Sequence, residues 1–344
     1  MSAPIAVVDV GGTYLRSAQW CPGEPLRDLR ESISPSVHRN PGVKVAELRQ
    51  RLVREICDSV PQDVHVAGVS FGAALDHRNS TVYASAPLWG PLVDRYDLAG
   101  ALSTHRPDVE WTVVNDVTAA LLHVESTALC ENARKVLLVT ISTGIACRII
   151  DRRTGAIPVD ELGLQGEIGH LPASATLAGS PAVLLCDCGQ PNHVSAFSSG
   201  PGIRRLADLL ERRSPERWNA SLLSVHVSHG IPFERAFRAA LDASDALAGE
   251  LLETATSPIA TILRTALCVD PEMDIVALAG GVANALSEHY VRAVLGQLER
   301  QSLYLTSELG RPWPLARIVV CGQGSANNLI GAGLAVLQRK SARR

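Results

Sequence analysis

The chain has 344 residues, of which 46% are hydrophobic and 19% charged, and its formal net charge is -3. This composition is typical of a globular protein with one large core or two domains, and it excludes a disordered chain. The near-neutral charge and the lack of a Lys/Arg cluster with interleaved aromatic residues argue against a nucleic-acid partner. No apolar run reaches the length of a transmembrane helix, so we expect no membrane association.

The cysteines and the N-terminus bear on the cellular compartment. Eight cysteines scattered through a chain of this length do not form the pattern of a disulfide framework. Six of them are interpreted as small core residues, and only Cys186 and Cys188 stand apart. Met1–Pro4 leads directly into an apolar run, without the charged and apolar regions of a signal peptide. We therefore expect a cytoplasmic protein.

The first motif is an apolar run that ends in a carboxylate and a Gly-Gly turn. Ile5–Val10 is followed by the turn Gly11-Gly12-Thr13, and Tyr14–Trp20 resumes as a second extended run. Two such runs predict a β-hairpin. Successive N–H groups in the turn could bind a phosphate, and Asp9 could hold Mg²⁺ through water. The alternative is an ordinary hairpin whose Asp9 faces solvent.

Helices and strands alternate in the next hundred residues. Val43–Ser59 has one apolar helical face, and Val64–Phe71 is an apolar strand that Gly72 ends. Residues 72–90 are predicted to be a loop-rich stretch. Trp111–Val114 is another short strand. Asn115 and Asp116 follow it directly, before a helical pattern over Val117–Leu129.

Asp116 thus lies where a strand ends and a helix begins, which allows two interpretations. Asp is a favoured helix N-cap, and the residue pattern alone favours that role. The alternative is a catalytic carboxylate at the C-terminal edge of a sheet, where ligands bind in open α/β folds.

The second half of the chain begins as the first half does. Lys135–Ile141 is a near-continuous apolar strand, Ser142-Thr143-Gly144 is a small polar turn, and Ala146–Asp151 is a second strand. This repetition predicts two related domains that face one cleft. The further predicted helices and strands are Gly202–Arg213, Phe233–Ala248, Leu251–Leu267, Ile275–Leu278 and Ile318–Cys321, with glycine-rich turns at Gly280-Gly281 and Gly322-Gln323-Gly324 after the two strands.

Six motifs in order along nearly the whole chain resemble those of the ROK family of sugar kinases, within the hexokinase/actin-like ATPase fold. They are Asp9-Val10-Gly11-Gly12-Thr13-x-x-Arg16, Asn115-Asp116, Ser142-Thr143-Gly144-Ile145, Gly166-Glu167-Ile168-Gly169-His170, Ala279-Gly280-Gly281-Val282 and Gly331-Ala332-Gly333. The resemblance implies an α/β fold of two RNase H-like (actin-like ATPase) domains that flank a cleft. We expect an N-terminal domain over 1–118, completed by a C-terminal helix over 325–344, and a C-terminal domain over 119–324 with a zinc-loop insertion.

The resemblance also implies an activity, namely ATP-dependent phosphorylation of a hydroxyl of a sugar or sugar-like polyol. Asp116 would be the general base on the attacking hydroxyl, and Asp9 would anchor Mg²⁺. The implied substrate-binding residues are Asn115, Glu167, His170, Gly72 and Ser195. The implied ATP- and phosphate-binding residues are Asp9, Gly11, Gly12, Thr13, Thr143, Gly144, Gly280 and Gly281. Members of the family are commonly dimers, which implies a homodimer.

A further resemblance is to the family's zinc loop, Cys-x-Cys-Gly-x-x-Gly-Cys. Here the segment runs from Cys186 through Cys188 to His193, which replaces the last cysteine. Two thiolates completed by His170 and His193 are an acceptable tetrahedral shell for a structural Zn²⁺ ion. The alternative is a metal-free loop with two thiols and an exposed histidine.

Two other departures from the family pattern concern the substrate and the nucleotide. Ser195 stands where the family has a glutamate that binds sugar hydroxyls, so we expect glucose to be a poor substrate. A non-glucose hexose, an amino sugar or a C7-cyclitol is expected instead. In the second phosphate motif two glycines are missing, and Ala146 and Cys147 are expected to restrict the loop. The following Arg148 either is structural or adds charge near the phosphates, and we favour the structural role, since the next residues lie in a strand.

An inactive protein is the alternative function. Ser195 and the altered phosphate loop would suit a sugar-binding or regulatory ROK homologue without a DNA-binding domain. The retained Asp9, Thr13 and Asp116 speak against loss of catalysis. Repressors of the family carry an N-terminal helix-turn-helix domain, for which we expect no room because the kinase motif begins at Ile5.

Overall fold

The structure is a computed structural model that describes residues 3–301, 317–322 and 324–342. Its strands are β1 (Ile5–Val10), β2 (Tyr14–Trp20), β3 (Arg27–Ile33), β4 (Val66–Phe71), β5 (Ala74–Asp76), β6 (Thr81–Ala84), β7 (Val93–Asp97), β8 (Glu110–Asn115), β9 (Lys135–Ile141), β10 (Ile145–Asp151), β11 (Ala175–Leu177), β12 (Ser180–Ala182), β13 (Met273–Ala279) and β14 (Ile318–Val320).

The helices separate and cover these strands. They are α1 (Val45–Ser59), α2 (Ala86–Trp89), α3 (Leu98–His105), α4 (Asp116–Glu125), α5 (Val194–Ser198), α6 (Gly200–Arg213), α7 (Pro215–Asn219), α8 (Leu222–Ser228), α9 (Phe233–Asp242), α10 (Ala246–Val269), α11 (Gly281–Leu286), α12 (Glu288–Arg300) and α13 (Asn328–Ala342), with 3₁₀ turns at Ala128–Cys130 and Ile168–His170. Among the helices described, we find none whose length and hydropathy would let it span a bilayer.

The first sheet has the strand order β3-β2-β1-β4-β8. The predicted hairpin forms its antiparallel part, while β1, β4 and β8 run parallel. Both faces of β1 are covered: Ala6, Val8 and Val10 pack in one core, and Ile5 and Val7 pack in another. A parallel strand buried on both sides is a continuous apolar run, which explains the sequence of β1.

Helix α13 covers one face of the first sheet, because three glycines let it approach closely. A Cβ atom at Gly331 would overlap the backbone of Ala119 in α4, and one at Gly333 would overlap the Trp20 ring. Gly68 of β4 lies beneath the carbonyl group of Ala332. The C-terminal helix therefore packs on β1, β4, β8 and α4. The proposed domain boundaries stay a prediction, and residues 343–344 of the predicted helix lie outside the described residues.

The second sheet repeats the central part of the first. Its strand order is β10-β9-β13-β14, with β9 and β10 antiparallel and β9, β13 and β14 parallel. Helix α4 packs on one face through Val117, Leu121 and Val124, and helices of the second half cover the other face. Gln323, in the predicted turn after β14, lies outside the described residues.

The predicted loop-rich stretch 72–90 contains three short elements, β5, β6 and α2, and β5 and β6 form a small antiparallel sheet with β7. Two predicted helices need correction. The predicted helix over Phe233–Ala248 ends at Asp242, since Ser244 has a positive φ of 59° and Asp245 caps the next helix. The predicted helix over Val117–Leu129 begins one residue earlier and ends at Glu125.

Candidate active site and metal centre

The carboxyl edge of the first sheet brings the predicted catalytic residues together. Strands β1, β4 and β8 are parallel and in register, so that Asp9 lies opposite Ser70 and Phe71 lies opposite Asn115. The residues that follow these strands therefore meet at one edge, which is where ligands bind in open α/β sheets.

Asp9 is held by two donors that the sequence did not reveal. Its Oδ1 atom accepts hydrogen bonds from the Ser70 hydroxyl at 2.8 Å and from Asn328 Nδ2 at 3.0 Å. Burial raises the pKa of Asp9, while these two hydrogen bonds and the Arg16 charge act in the opposite direction. The fixed carboxylate suits a hard cation held directly or through water, and Mg²⁺ is such a cation.

Asn115, not Asp116, caps helix α4. Its Oδ1 atom accepts from the N–H groups of Val117 at 3.0 Å and Thr118 at 3.3 Å, and its Nδ2 donates to the Ala73 carbonyl at 3.0 Å. The cap interpretation of Asp116 is therefore wrong. Asp116 is the first residue of the helix, and its Oδ1 atom accepts from the Val117 N–H at 2.9 Å.

The environment of Asp116 makes it a stronger base than an ordinary aspartate. Burial raises its pKa to about 6, and the nearby Asp9 and Glu167 charges add to this rise. The Val117 N–H and the Arg148 charge lower the pKa and limit the rise. A carboxylate with a pKa near the working pH is suited to accept a proton from a hydroxyl.

Gly72 and the first glycine turn border this carboxylate edge. A Cβ atom at Gly72 would lie 3.4 Å from Asp116 Oδ2, so glycine leaves space beside the carboxylate. In the turn, Gly11 N–H donates to the Tyr14 carbonyl at 3.0 Å, and a Cβ at Gly12 would overlap Pro87. Thr13 is exposed.

The second sheet presents a matching edge. Thr140 lies opposite Ala279, so the turn after β9 neighbours the turn after β13. Gly280 has a positive φ of 97° and its Cα packs on the Ile141 backbone, where a side chain would overlap. Thr143 and Gly144 are exposed, as a phosphate-binding turn requires. Gly281, at the start of α11, faces the Ser142 hydroxyl.

The expected restriction by Ala146 and Cys147 does not arise in this structure. Both residues lie inside β10, and neither has a positive φ. Since extended backbone is open to any residue, Ala146 and Cys147 cause no backbone strain in β10.

Glu167, His170 and Ser195 lie on the second half of the chain. Burial raises the pKa of Glu167, and the Arg148 charge opposes the rise. Between Glu167 and His170, Gly169 packs against the Ser195 hydroxyl and the Ile145 carbonyl, where a Cβ would overlap both. Ser195 is buried in the first turn of α5 and thus lies behind the 3₁₀ turn that ends in His170.

The four predicted zinc ligands come together. One ligand atom from each of His170, Cys186, Cys188 and His193 lies within 4.8 Å of the others. Cys188 Sγ is 3.2 Å from His193 Nδ1, and Cys186 Sγ is 3.9 Å from His170 Nδ1. The loop is closed by the Gly189 and Cys186 N–H groups, which donate to the carbonyls of Cys186 and Gln190. Two thiols and two imidazoles at this spacing fit Zn²⁺.

Two further polar residues lie near the site: Arg148, which was interpreted from the sequence as structural, and His77, which was not predicted. Arg148 is only 1% exposed and has a Nη2 group without a partner. His77, after β5, has a buried Nε2 without a partner, and burial lowers its pKa to about 4. Arg148 stands between Ala146 and Ile150 on the inward face of β10, so the alternation of that strand could have marked it. Nothing in the sequence singles out His77.

Comparison with known families matches residues 5–339 to the ROK family. Among curated proteins, the chain is 54% identical over 334 residues to a 2-epi-5-epi-valiolone 7-kinase from Actinoplanes sp., with 97% of this chain and 93% of that protein covered. It is 27% identical over 311 residues to a C(7)-cyclitol 7-kinase from Streptomyces hygroscopicus subsp. jinggangensis, with 86% of this chain and 84% of that protein covered.

Solved structures give the fold. A ROK family glucokinase from Streptomyces griseus superposes with a TM-score of 0.71 at 19% identity, covering 98% of this chain and all of that chain. A ROK hexokinase from Thermus thermophilus gives a TM-score of 0.66 at 21% identity, covering 99% of this chain and all of that chain. These likenesses confirm the predicted two-domain actin-like ATPase fold. Together with the family match over residues 5–339, they show that the chain belongs to the ROK family.

Proposed function

We propose that this protein is an ATP-dependent kinase that transfers a phosphoryl group to position 7 of a C7-cyclitol. The observation that carries the proposal is the 54% identity, over nearly the full length of both chains, to a 2-epi-5-epi-valiolone 7-kinase. The kinase class predicted from the motifs is confirmed by that relative and by the cyclitol kinase relative. The particular cyclitol and the hydroxyl are proposed by analogy with those two names.

In the proposed mechanism Asp116 takes the proton from the attacking hydroxyl. Its carboxylate has space beside Gly72, and its pKa of about 6 keeps it largely ionised at neutral pH. The capping bonds of Asn115 fix its amide and with it the start of α4, so the carboxylate has a defined direction. A positioned base and a positioned hydroxyl lower the barrier by removing the entropy of their encounter.

ATP would lie between the two sheet edges. We assign its phosphates to the turns Gly11-Gly12-Thr13 and Thr143-Gly144 and its adenosine part to Gly280-Gly281. Asp9 would hold Mg²⁺, which neutralises phosphate charge when it is bound. The support is the fixed Asp9 carboxylate and the exposure of the two turns.

The polyol would bind to Glu167, His170 and Ser195. A zinc ion held by His170, Cys186, Cys188 and His193 would fix the position of His170 and of the segment around it. The support for zinc is the donor set and its spacing within 4.8 Å. A cytoplasmic location and a homodimer complete the proposal and remain predictions.

The test is ADP release from Mg-ATP with a panel of acceptors. We expect kcat/KM on 2-epi-5-epi-valiolone to exceed that on glucose by about 100-fold, because a glucose hydroxyl that is buried beside Ser195 without a carboxylate partner loses hydrogen bonds that it makes in water. Mannose and N-acetylmannosamine serve as further comparisons. Glucose as the best acceptor would contradict the substrate class and the role of Ser195, whereas no ADP release with any acceptor would contradict the kinase.

A further inference from the structure

Arg148 is a buried cation among the carboxyl groups of the site. Its side chain is 1% exposed on the inward face of β10, between the sheet and the first turn of α4. Within the described residues, no carboxylate oxygen comes within ion-pair distance of its guanidinium, whose partners are a hydroxyl and two carbonyl groups. Burying a guanidinium without an ion pair is costly, so its presence calls for an explanation.

The hydrogen bonds of Arg148 connect two parts of the site. Its Nε donates to Thr118 Oγ1 at 3.3 Å, two residues after Asp116. Its Nη1 donates to the carbonyls of Cys147 and Gln165, and Gln165 lies two residues before Glu167. Gly166, with a positive φ of 80°, brings the loop down onto Arg148, where a Cβ would overlap the Cys147 carbonyl.

We propose that Arg148 is a positioning residue, which ties the loop that carries Glu167 to the first turn of the helix that carries Asp116. The planar guanidinium makes this connection with a fixed geometry that an ammonium group lacks. Its Nη2 group is buried without a hydrogen-bond partner in the described structure, so the guanidinium is held by its Nε and Nη1 contacts. The inference rests on the proposed kinase function.

Electrostatics gives Arg148 a second effect. Its charge lowers the pKa of both Asp116 and Glu167. The other groups that act on Asp116 are Asp9 from β1 and Glu167, which raise its pKa, and the Val117 N–H, which lowers it. Loss of the Arg148 charge therefore shifts Asp116 towards its protonated form, which cannot accept a proton from the substrate.

Arg148→Met and Arg148→Lys separate the two effects. With Met, we expect the acid limb of kcat/KM to move up by about one pH unit and kcat to fall by about 10-fold or more. Arg148→Lys keeps the positive charge but loses the planar guanidinium. We therefore expect the acid limb of the pH profile of kcat/KM to stay in place while KM for the polyol rises. Arg152→Met is the control, because Arg152, directly after β10, likewise donates to backbone carbonyls. Unlike Arg148, it also pairs with a carboxylate, that of Glu125.

A readout independent of turnover completes the test. Hydrogen exchange of the amides over 165–167 should be faster in Arg148→Met than in the wild-type protein or in Arg152→Met. Unchanged exchange and an unmoved acid limb in Arg148→Met would overturn the proposal, as would equal changes in Arg152→Met. If wild-type protein released no ADP, the proposed function would fail, and the exchange result would still decide whether Arg148 positions the loop.

Discussion

At the scale of single residues, the site depends on buried carboxyl groups whose protonation is set by their neighbours. Asp116 shows this most clearly, since burial and the Asp9 charge raise its pKa to about 6. Asp9 and Glu167 are shifted in the same direction by burial. These shifts connect the pH dependence of the reaction to particular atoms.

Asp116→Asn tests the base directly. The amide keeps the shape of the side chain and its contact with the Val117 N–H but cannot accept the proton, so we expect kcat to fall by about 10²–10⁴-fold. In the wild-type enzyme kcat/KM should fall tenfold per pH unit below about pH 6, because protonated Asp116 is inactive. Fixed-time assays of ADP release from pH 5 to 8 measure both effects. A variant with full turnover would refute the assigned base.

The residue types of the site were predictable, but their environments were not. Asp9, Asp116, Glu167 and the zinc ligands stand in short motifs whose spacing is visible in the chain. Asn328 reaches Asp9 from the other end of the sequence, and Arg148 reaches Gln165 across a loop. Such long-range partners follow from packing, which no local pattern contains.

At the scale of elements, α13 and α4 pack closely because Gly331 has no side chain at their contact. Gly331→Ala would push a methyl group into the Ala119 backbone. We expect a loss of about 1–3 kcal/mol in the free energy of unfolding, measured by urea denaturation. Gly249→Ala in α10 is the control, because a Cβ there meets nothing within 4 Å. It should gain about 0.5–1 kcal/mol from helix propensity, and an equal loss in both variants would contradict this explanation.

The zinc loop is the second element whose stability can be tested. We expect about one zinc ion per chain in the purified protein, and its loss together with a fall in Tm of roughly 5–10 °C in Cys186→Ser. Cys268→Ser is the matched control, because Cys268 is exposed and outside the ligand cluster. Metal analysis and thermal unfolding decide the matter: zinc retained by Cys186→Ser, or absent from the wild-type protein, would rule out the site.

Elements with a strong hydrophobic pattern were predicted well, and exposed ones were missed. The apolar strands β1, β4 and β9 were found because both of their faces are buried. Strand β3 is exposed along its whole length, so its sequence carries no alternation of apolar and polar residues. Strands β5 and β6 have only three and four residues and are separated by a turn, so they are too short to show a clear pattern in the sequence.

At the scale of the whole molecule, the chain forms two sheets of related topology, each with a turn-bearing carboxyl edge. Asp9 and Asp116 lie at the edge of the first sheet, and the turns after β9 and β13 lie at the edge of the second. The repeated strand–turn–strand pattern predicted the two related sheets, and a shared site between their edges is part of the proposed function. Several carboxyl groups are buried close together in this arrangement. Their ionised form is the one that catalysis requires, but it lowers the stability of the folded protein.

This conflict predicts that stability and activity respond to pH in opposite directions. The pKa of Asp116 is about 6 in the folded protein and roughly 3.9 in an unfolded chain. The folded state thus binds the proton more tightly, so this group's contribution to stability is full below about pH 4 and is lost as the pH rises through 6. The exposed Asp108 and the half-buried Asp151, whose pKa values are lowered to about 2, act in the opposite sense but at lower pH.

Removal of the buried charge should therefore stabilise the protein where the enzyme works. At pH 7.5 we expect Asp116→Asn to be more stable than the wild-type protein by about 2–3 kcal/mol, the equivalent of a two-unit pKa shift, and we expect the difference to shrink towards zero near pH 4. Thermal unfolding across this pH range measures it. The exposed Asp63→Asn should change stability little at either pH. If the stability advantage of Asp116→Asn over the wild-type protein grew as the pH fell, the folded protein would favour the ionised form of Asp116. The assignment of Asp116 as a base with a raised pKa would then be wrong.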